Sequence, residues 1–181
     1  MTQHRLLTPS NALTMLRFVL VPVFVWAAVQ GTVITGLCAI GVFLLASFTD
    51  AWDGRLARSR NEITDFGKIA DPIADKALTG AAFVILSMQG AFPWWATVVV
   101  LAREWGITVW RLRLLHRVVH AANGGGKVKT TLQLFGIALA LWPTAAPLGG
   151  VIHPLGVGVV WVAAVVTVWT GIRYARELLH A

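Results

Sequence analysis

The chain has 181 residues, of which 57% are apolar and only 13% charged, about half the roughly 25% charge of an average soluble domain. That balance, with a mean hydropathy of +0.72 and nine Trp, excludes an ordinary soluble domain and points to an all-α integral membrane protein, read as a single domain over 1–181. Cys38 is the one cysteine, which excludes an internal disulfide, and the net charge of +7 has no solvated basic domain that could hold nucleic acid. Such charges beside membrane spans set topology or hold anionic lipid and phosphate instead.

In chain order, Thr8-Pro9-Ser10-Asn11 reads as a helix start, with Pro at an early position and a capping side chain nearby. Six apolar stretches follow, at roughly 12–29, 32–50, 70–89, 92–110, 130–148 and 151–171, each near the ~20 residues a helix needs to cross a bilayer. The first is too long for a signal peptide and is interrupted by Arg17 and Pro22. Breaks at Gln30-Gly31-Thr32, at Gln89-Gly90 before Pro93, and from Pro143 to Pro154 contain no charged residue. The opposite connections carry Arg5, then Arg55, Arg58, Arg60 and Lys68, then Arg113, Arg117, Lys127 and Lys129, and finally Arg173 and Arg176. The positive-inside rule therefore predicts six transmembrane helices with both termini cytoplasmic. Gly124-Gly125-Gly126 is predicted to be a flexible loop, since no strand precedes it to make a nucleotide motif. Trp94, Trp95 and Trp142 near the uncharged ends read as interface anchors, and the five His as surface residues.

Acidic residues are scarce, and four of the eight sit at two apolar helix ends that flank one short basic connection. Asp50 and Asp53 are three apart and Asp71 and Asp75 four apart, so each pair shares a helical face. Carboxylates at the edge of a bilayer are costly and usually functional. Four that converge repel one another, and the hard cations Mg²⁺ or Mn²⁺, bound through oxygen, would supply the counter-charge. Gly54, Ala57 and Gly67 would let a ligand approach the backbone beside such ions, and Arg58 adds a phosphate-binding fork. The plainer reading, helix-end acids paired with Arg55, Arg58, Arg60, Lys68 and Lys76, explains any one Asp better than it explains the set.

Asp50, Asp53, Gly54, Ala57, Arg58, Gly67, Asp71 and Asp75 match D-x2-D-G-x2-A-R-x8-G-x3-D-x3-D at every specified position. This pattern resembles the signature of the CDP-alcohol phosphotransferase family, and eight positions at ordinary frequencies meet by chance on the order of 10⁻¹⁰ per start. The resemblance implies transfer of a phosphatidyl-type group from a CDP-linked donor to an alcohol, with release of CMP, by a homodimer working at the cytoplasmic face of a multi-pass membrane domain. By position it makes Asp50, Asp53, Asp71 and Asp75 metal ligands, with Asp75 also the base that takes the acceptor proton. Gly54, Ala57, Arg58, Thr64 and Gly67 would contact the CDP donor, and Asn11 and Thr14 its diphosphate.

Arg103-Glu104, Arg111 and Gly126-Lys127-Val128-Lys129-Thr130 resemble the branch of the family that takes sn-glycerol 3-phosphate as acceptor and CDP-diacylglycerol as donor. Arg103, Arg111, Lys127 and Lys129 would then hold the acceptor phosphate. Relatives that use phosphatidylglycerol, inositol phosphate or serine are the alternatives, and a small ion-coupled transporter is a different class. Transporters place their ion sites near the bilayer midplane on broken helices, whereas these acids gather at one interface.

Overall fold

The computed structural model describes residues 9–60, 65–113 and 125–179. These residues form six α-helices and no strand: α1 (Pro9–Val29), α2 (Val33–Arg60), α3 (Asp65–Met88), α4 (Trp94–Arg113), α5 (Gly125–Ala140) and α6 (Gly149–Leu179). They divide into two compact units, Met1–Ala81 and Ala82–Ala181, with the boundary inside α3.

Several helix limits differ from those the hydropathy predicts. α2 continues ten residues past the apolar stretch, to Arg60, so the first half of the acidic signature is helical rather than connecting. α3 begins at Asp65, five residues before the predicted start at 70. α5 is shorter than its apolar stretch and stops at Ala140, because the turn approaching Pro143 is as apolar as the helix before it. Gly125 and Gly126 are helical, which corrects their reading as a loop; in a first turn the backbone N–H groups have no intrahelical partners to lose.

Among the described residues two helical stretches, Asn11–Val29 and Gly149–Arg173, are long and apolar enough to cross a bilayer. The apolar parts of α2 and α5, Val33–Thr49 and Thr130–Ala140, are shorter. α3 is interrupted by Asp71, Asp75 and Lys76, and α4 by Arg103 and Glu104. Many outward positions are nonetheless apolar: Val19 and Trp26 on α1, Leu45 on α2, Trp95 and Val98 on α4, Phe135 on α5, Val165 and Trp169 on α6 are all exposed. Water-facing helices carry charge at such positions; these faces suit hydrocarbon. Trp94 and Trp95 are exposed as interface anchors would be, while the Trp142 indole donates to the Pro147 carbonyl at 3.1 Å.

In the first unit α1 packs against α2, with the Phe24 and Phe43 rings 5.6 Å apart. Buried Ala27, Ala28, Ala39, Ile40 and Ala46 complete that seam at helical spacing. The turn between the helices is short because Gly31 takes φ +72° and the Thr32 hydroxyl accepts from the Thr35 N–H at 3.2 Å, capping α2.

In the second unit α3 ends in a Schellman turn. Ala91 N–H bonds the Leu86 carbonyl at 2.9 Å and Gly90 N–H the Ser87 carbonyl at 3.1 Å, with Gly90 at φ +75°. Phe92 then meets Phe83 and Trp161 at 5.6 and 4.8 Å between ring centroids, and Ser87 and Thr97 share a 2.6 Å hydrogen bond. α5 and α6 lie antiparallel at very close range. A Cβ on Gly156 would stand 2.1 Å from the Ala140 nitrogen, and one on Gly136 2.9 Å from Val159 Cγ1. Small residues at a crossing let backbones approach, the usual device where lipid removes the hydrophobic drive for helix association.

Gly156→Ala must push α6 off α5, since the clash is with backbone that cannot rotate away. Overpacking costs typically about 1–3 kcal/mol, so the melting temperature in detergent should fall by at least about 2 °C at ~2–4 °C per kcal/mol for a chain of this size. Gly158→Ala, with nothing within 4 Å of the added methyl, should show no such fall.

Candidate functional site

α1 brings polar side chains into the first unit on one face. Asn11, Thr14 and Arg17 are spaced by three residues and buried, at 2%, 0% and 0% exposure, on the same stripe that carries Phe24 further along. The Thr14 hydroxyl donates to Asp71 Oδ1 on α3. That contact, between residues 57 apart in the chain, joins two positions that the sequence assigned separately to donor binding and to metal binding.

Asp71 and Asp75 stand one turn apart on α3, both half-buried. Gly67 is buried one turn before Asp71, and Pro72 follows it, removing one backbone N–H from the helix between the two acids. Asp75 Oδ2 accepts from Lys76 Nζ at 2.7 Å, and the Thr79 hydroxyl bonds the Asp75 carbonyl at 3.0 Å, fixing the backbone there. Lys76 is thus one of the pairings the plainer reading expected. On Asp75 it occupies Oδ2.

Asp50, Asp53, Gly54, Ala57 and Arg58 lie on the last turns of α2, but their side chains fall outside the described residues, and Thr64 lies wholly outside them. Among the described residues no group of three potential ligands is therefore assembled. The four acids still fit hard divalent cations by donor type. Asp71 and Asp75 present carboxylate oxygens one turn apart, and the helical spacing of positions 50 and 53 puts that pair on one face of α2.

The residues expected to hold acceptor phosphate belong to the second unit. Arg103 on α4 donates through Nη1 to Glu104 Oε1 at 3.1 Å and through Nη2 to Thr170 Oγ1 on α6 at 2.8 Å. Its Nε is buried with no hydrogen-bond partner among the described residues. Its stem crosses Gly171, where a Cβ would stand 3.0 Å from the Arg103 Cγ and Nε atoms, at the edge of an apolar groove of about 360 Å³ between α4 and α6. Arg111 lies near the end of α4 and Lys127 and Lys129 in the first two turns of α5, their side chains outside the described residues. Arg17, which the sequence marked only as an interruption of the first apolar stretch, is the buried polar residue to which sequence reasoning gave no role. Its signal was readable: the third polar position of an every-third-residue pattern inside an apolar helix.

Residues 7–169 match the model of the CDP-alcohol phosphatidyltransferase family. The chain belongs to that family. Among curated CDP-alcohol phosphatidyltransferases and their kin, it is similar to a probable phosphatidylglycerophosphate synthase of Mycobacterium tuberculosis, with 43% identity covering 97% of this chain and 84% of the relative. It is also similar to the CDP-diacylglycerol–glycerol-3-phosphate 3-phosphatidyltransferases of Bacillus subtilis, at 35% identity over 91% of each chain, and of Sodalis glossinidius, at 34% over 93% of each.

The Thr14–Asp71 contact makes a direct prediction for this family member. Thr14→Val keeps the shape and removes the donor. A hydrogen bond to a charged group contributes about 1.5–3 kcal/mol, roughly 10- to 150-fold at 1.4 kcal/mol per decade. CMP release by Thr14→Val should fall at least about tenfold on that scale, while Thr14→Ser should keep most of it. Unchanged turnover in the valine variant would reduce Thr14 to a packing residue.

Proposed function

We propose that this protein transfers the phosphatidyl group of CDP-diacylglycerol to sn-glycerol 3-phosphate, giving phosphatidylglycerophosphate and CMP. The observation that carries the reading is the complete signature, with its third acid, Asp71, fixed by Thr14 from another helix. The acceptor is taken from the relatives named for glycerol 3-phosphate, which align over nearly the whole chain.

Asp50, Asp53, Asp71 and Asp75 would hold the divalent cations, Mg²⁺ or Mn²⁺ by the hardness of their oxygens. When bound, such ions supply positive charge that offsets the donor diphosphate and steadies the leaving oxygen. Asn11, Thr14, Gly54, Ala57, Arg58, Thr64 and Gly67 frame the donor, the small residues by letting it approach the backbone and Arg58 by its phosphate-binding fork.

Asp75 serves as the base. An alcohol is a poor nucleophile at neutral pH and needs a carboxylate within reach of its proton. As the acceptor hydroxyl oxygen bonds to the phosphorus carrying diacylglycerol, its proton passes to Asp75. The bond from that phosphorus to the CMP oxygen breaks, and CMP leaves with the electron pair. No covalent protein intermediate is required. Arg103, Arg111, Lys127 and Lys129 are assigned to the acceptor phosphate, where charge-assisted bonds distinguish glycerol 3-phosphate from neutral alcohols.

The protein would act as a homodimer in the cytoplasmic membrane, with its six helices crossing the bilayer and both termini on the cytoplasmic side. The distribution of basic residues supports that orientation, because the uncharged turns at 30–32, 89–93 and 141–148 all fall at the opposite ends of the helices.

An acceptor panel tests the assignment. With CDP-diacylglycerol and Mn²⁺, CMP release and a lipid product should appear with glycerol 3-phosphate and not with phosphatidylglycerol, inositol phosphate or serine, and excess chelator should abolish both. Preference for another acceptor would overturn the substrate while leaving the family intact.

Asp75→Asn separates the base from the ligands. The amide keeps a carbonyl oxygen for a metal and cannot take the proton. Turnover should drop roughly 10²-fold or more, the scale of general-base catalysis, with the KM for CDP-diacylglycerol changing little. Near-normal turnover would move the base to another residue.

A further inference from the structure

Arg17 is first by volume among the wholly buried side chains of the described residues, and it is a cation. A guanidinium does not shed its proton in a protein, and a charge kept from water in an apolar bundle has to be compensated by an opposite one. The position of Arg17 on α1 indicates where that charge lies. It sits one turn past Thr14, whose hydroxyl touches Asp71, so about 4.5 Å along the helix axis separates Arg17 from the level of that carboxylate at 1.5 Å per residue.

The α1–α2 seam supplies the second coordinate. The helices run antiparallel through the Gly31 turn, and Phe24 meets Phe43. Seven residues are close to two helical turns and return to the same face. Seven back from Phe24 is position 17, and seven on from Phe43 is position 50. The register that seats phenylalanine on phenylalanine in the middle of the seam therefore seats arginine level with the first signature acid at its end.

We propose that Arg17 is the fixed counter-charge of the signature carboxylates, a positioning residue paired at the register of Asp50. It offsets the mutual repulsion of the acids before any cation binds, so that the site is kept assembled in the empty enzyme. The same positive charge opposes incoming divalent ions. Arg17 thereby trades metal affinity for an ordered apo site. This deepens the reading of the four acids as the metal site and rests on it.

The test uses the purified full-length protein in detergent without nucleotide, with Mn²⁺ binding followed by electron paramagnetic resonance and unfolding followed with and without Mn²⁺. Wild-type protein should bind Mn²⁺; failure there would defeat the metal reading itself, separately from the role of Arg17. Arg17→Met should bind Mn²⁺ at least threefold more tightly than wild type, melt lower when metal-free, and gain more melting temperature from Mn²⁺ than wild type does. Arg17→Lys, which keeps the charge, should stay close to wild type in all three. Adding Asp50→Asn to Arg17→Met should restore the metal-free melting temperature, because the acid left without its counter-charge is then neutral. Equal or weaker Mn²⁺ binding by Arg17→Met, or no rescue by the second substitution, would overturn the pairing. Should Arg17→Met not fold by itself, rescue of folding by Asp50→Asn supports the pairing in the same way, and failure of that rescue overturns it.

Discussion

Keeping charge inside an apolar helix bundle is the constraint on which the rest of the molecule depends. Only 13% of its residues are charged, yet several of them are buried or half-buried beside one another: Arg17, Asp71, Asp75 and Lys76 in the first unit, Arg103 and Glu104 in the second. Each polar contact observed there answers a desolvation cost that water would otherwise remove. Thr14 donates to Asp71, Lys76 to Asp75, and Arg103 to both Glu104 and Thr170. A hydroxyl or an ion pair is worth more in such surroundings than at a wet surface, because the alternative is an unmet group in hydrocarbon.

The scaffold that holds these groups is built from close helix approach. α5 and α6 cross with Gly156 almost on the backbone of Ala140, and alanines fill much of the α1–α2 seam. Many large apolar side chains also point outward, among them Trp26, Trp95, Phe135 and Trp169, since lipid accepts them at no cost. Among the described residues, aromatic rings pair Phe24 with Phe43 in one unit and link Phe83, Phe92, Trp161 and Trp95 in the other. The first joins successive helices, and the second ties α6 to the start of α4 and the turn before it.

Much of this was legible in the sequence because its chemistry is periodic. The spacing of Asp50, Asp53, Asp71 and Asp75 names both the face and the donor type, and glycine-marked turns at Gly31 and Gly90 are where the backbone takes positive φ. Hydropathy located six helices and misjudged their ends. It measures affinity for hydrocarbon, and a turn such as Leu141–Trp142–Pro143 is as apolar as a helix, while the charged end of α2 is as helical as its apolar part. The long-range pairing of Thr14 with Asp71 has no local signal. It depends on how α1 and α3 lie together, which no window along the chain contains.

Small residues recur wherever this chain needs a charged one, and the two facts belong together. Gly67 precedes Asp71 by a turn, Gly54 and Ala57 follow Asp53, and Gly171 lies under Arg103. A long polar side chain in a bundle can reach a partner on the next helix only if its stem has somewhere to lie, and a flat stretch of backbone gives it that path. Arg103 demonstrates the arrangement: its methylenes cross Gly171, its Nη2 reaches Thr170 one residue earlier, and the packing leaves no room for a methyl at the glycine without moving the guanidinium. At position 171 the glycine helps to place the charge, since an alanine there would press on the stem of a cation carried by another helix.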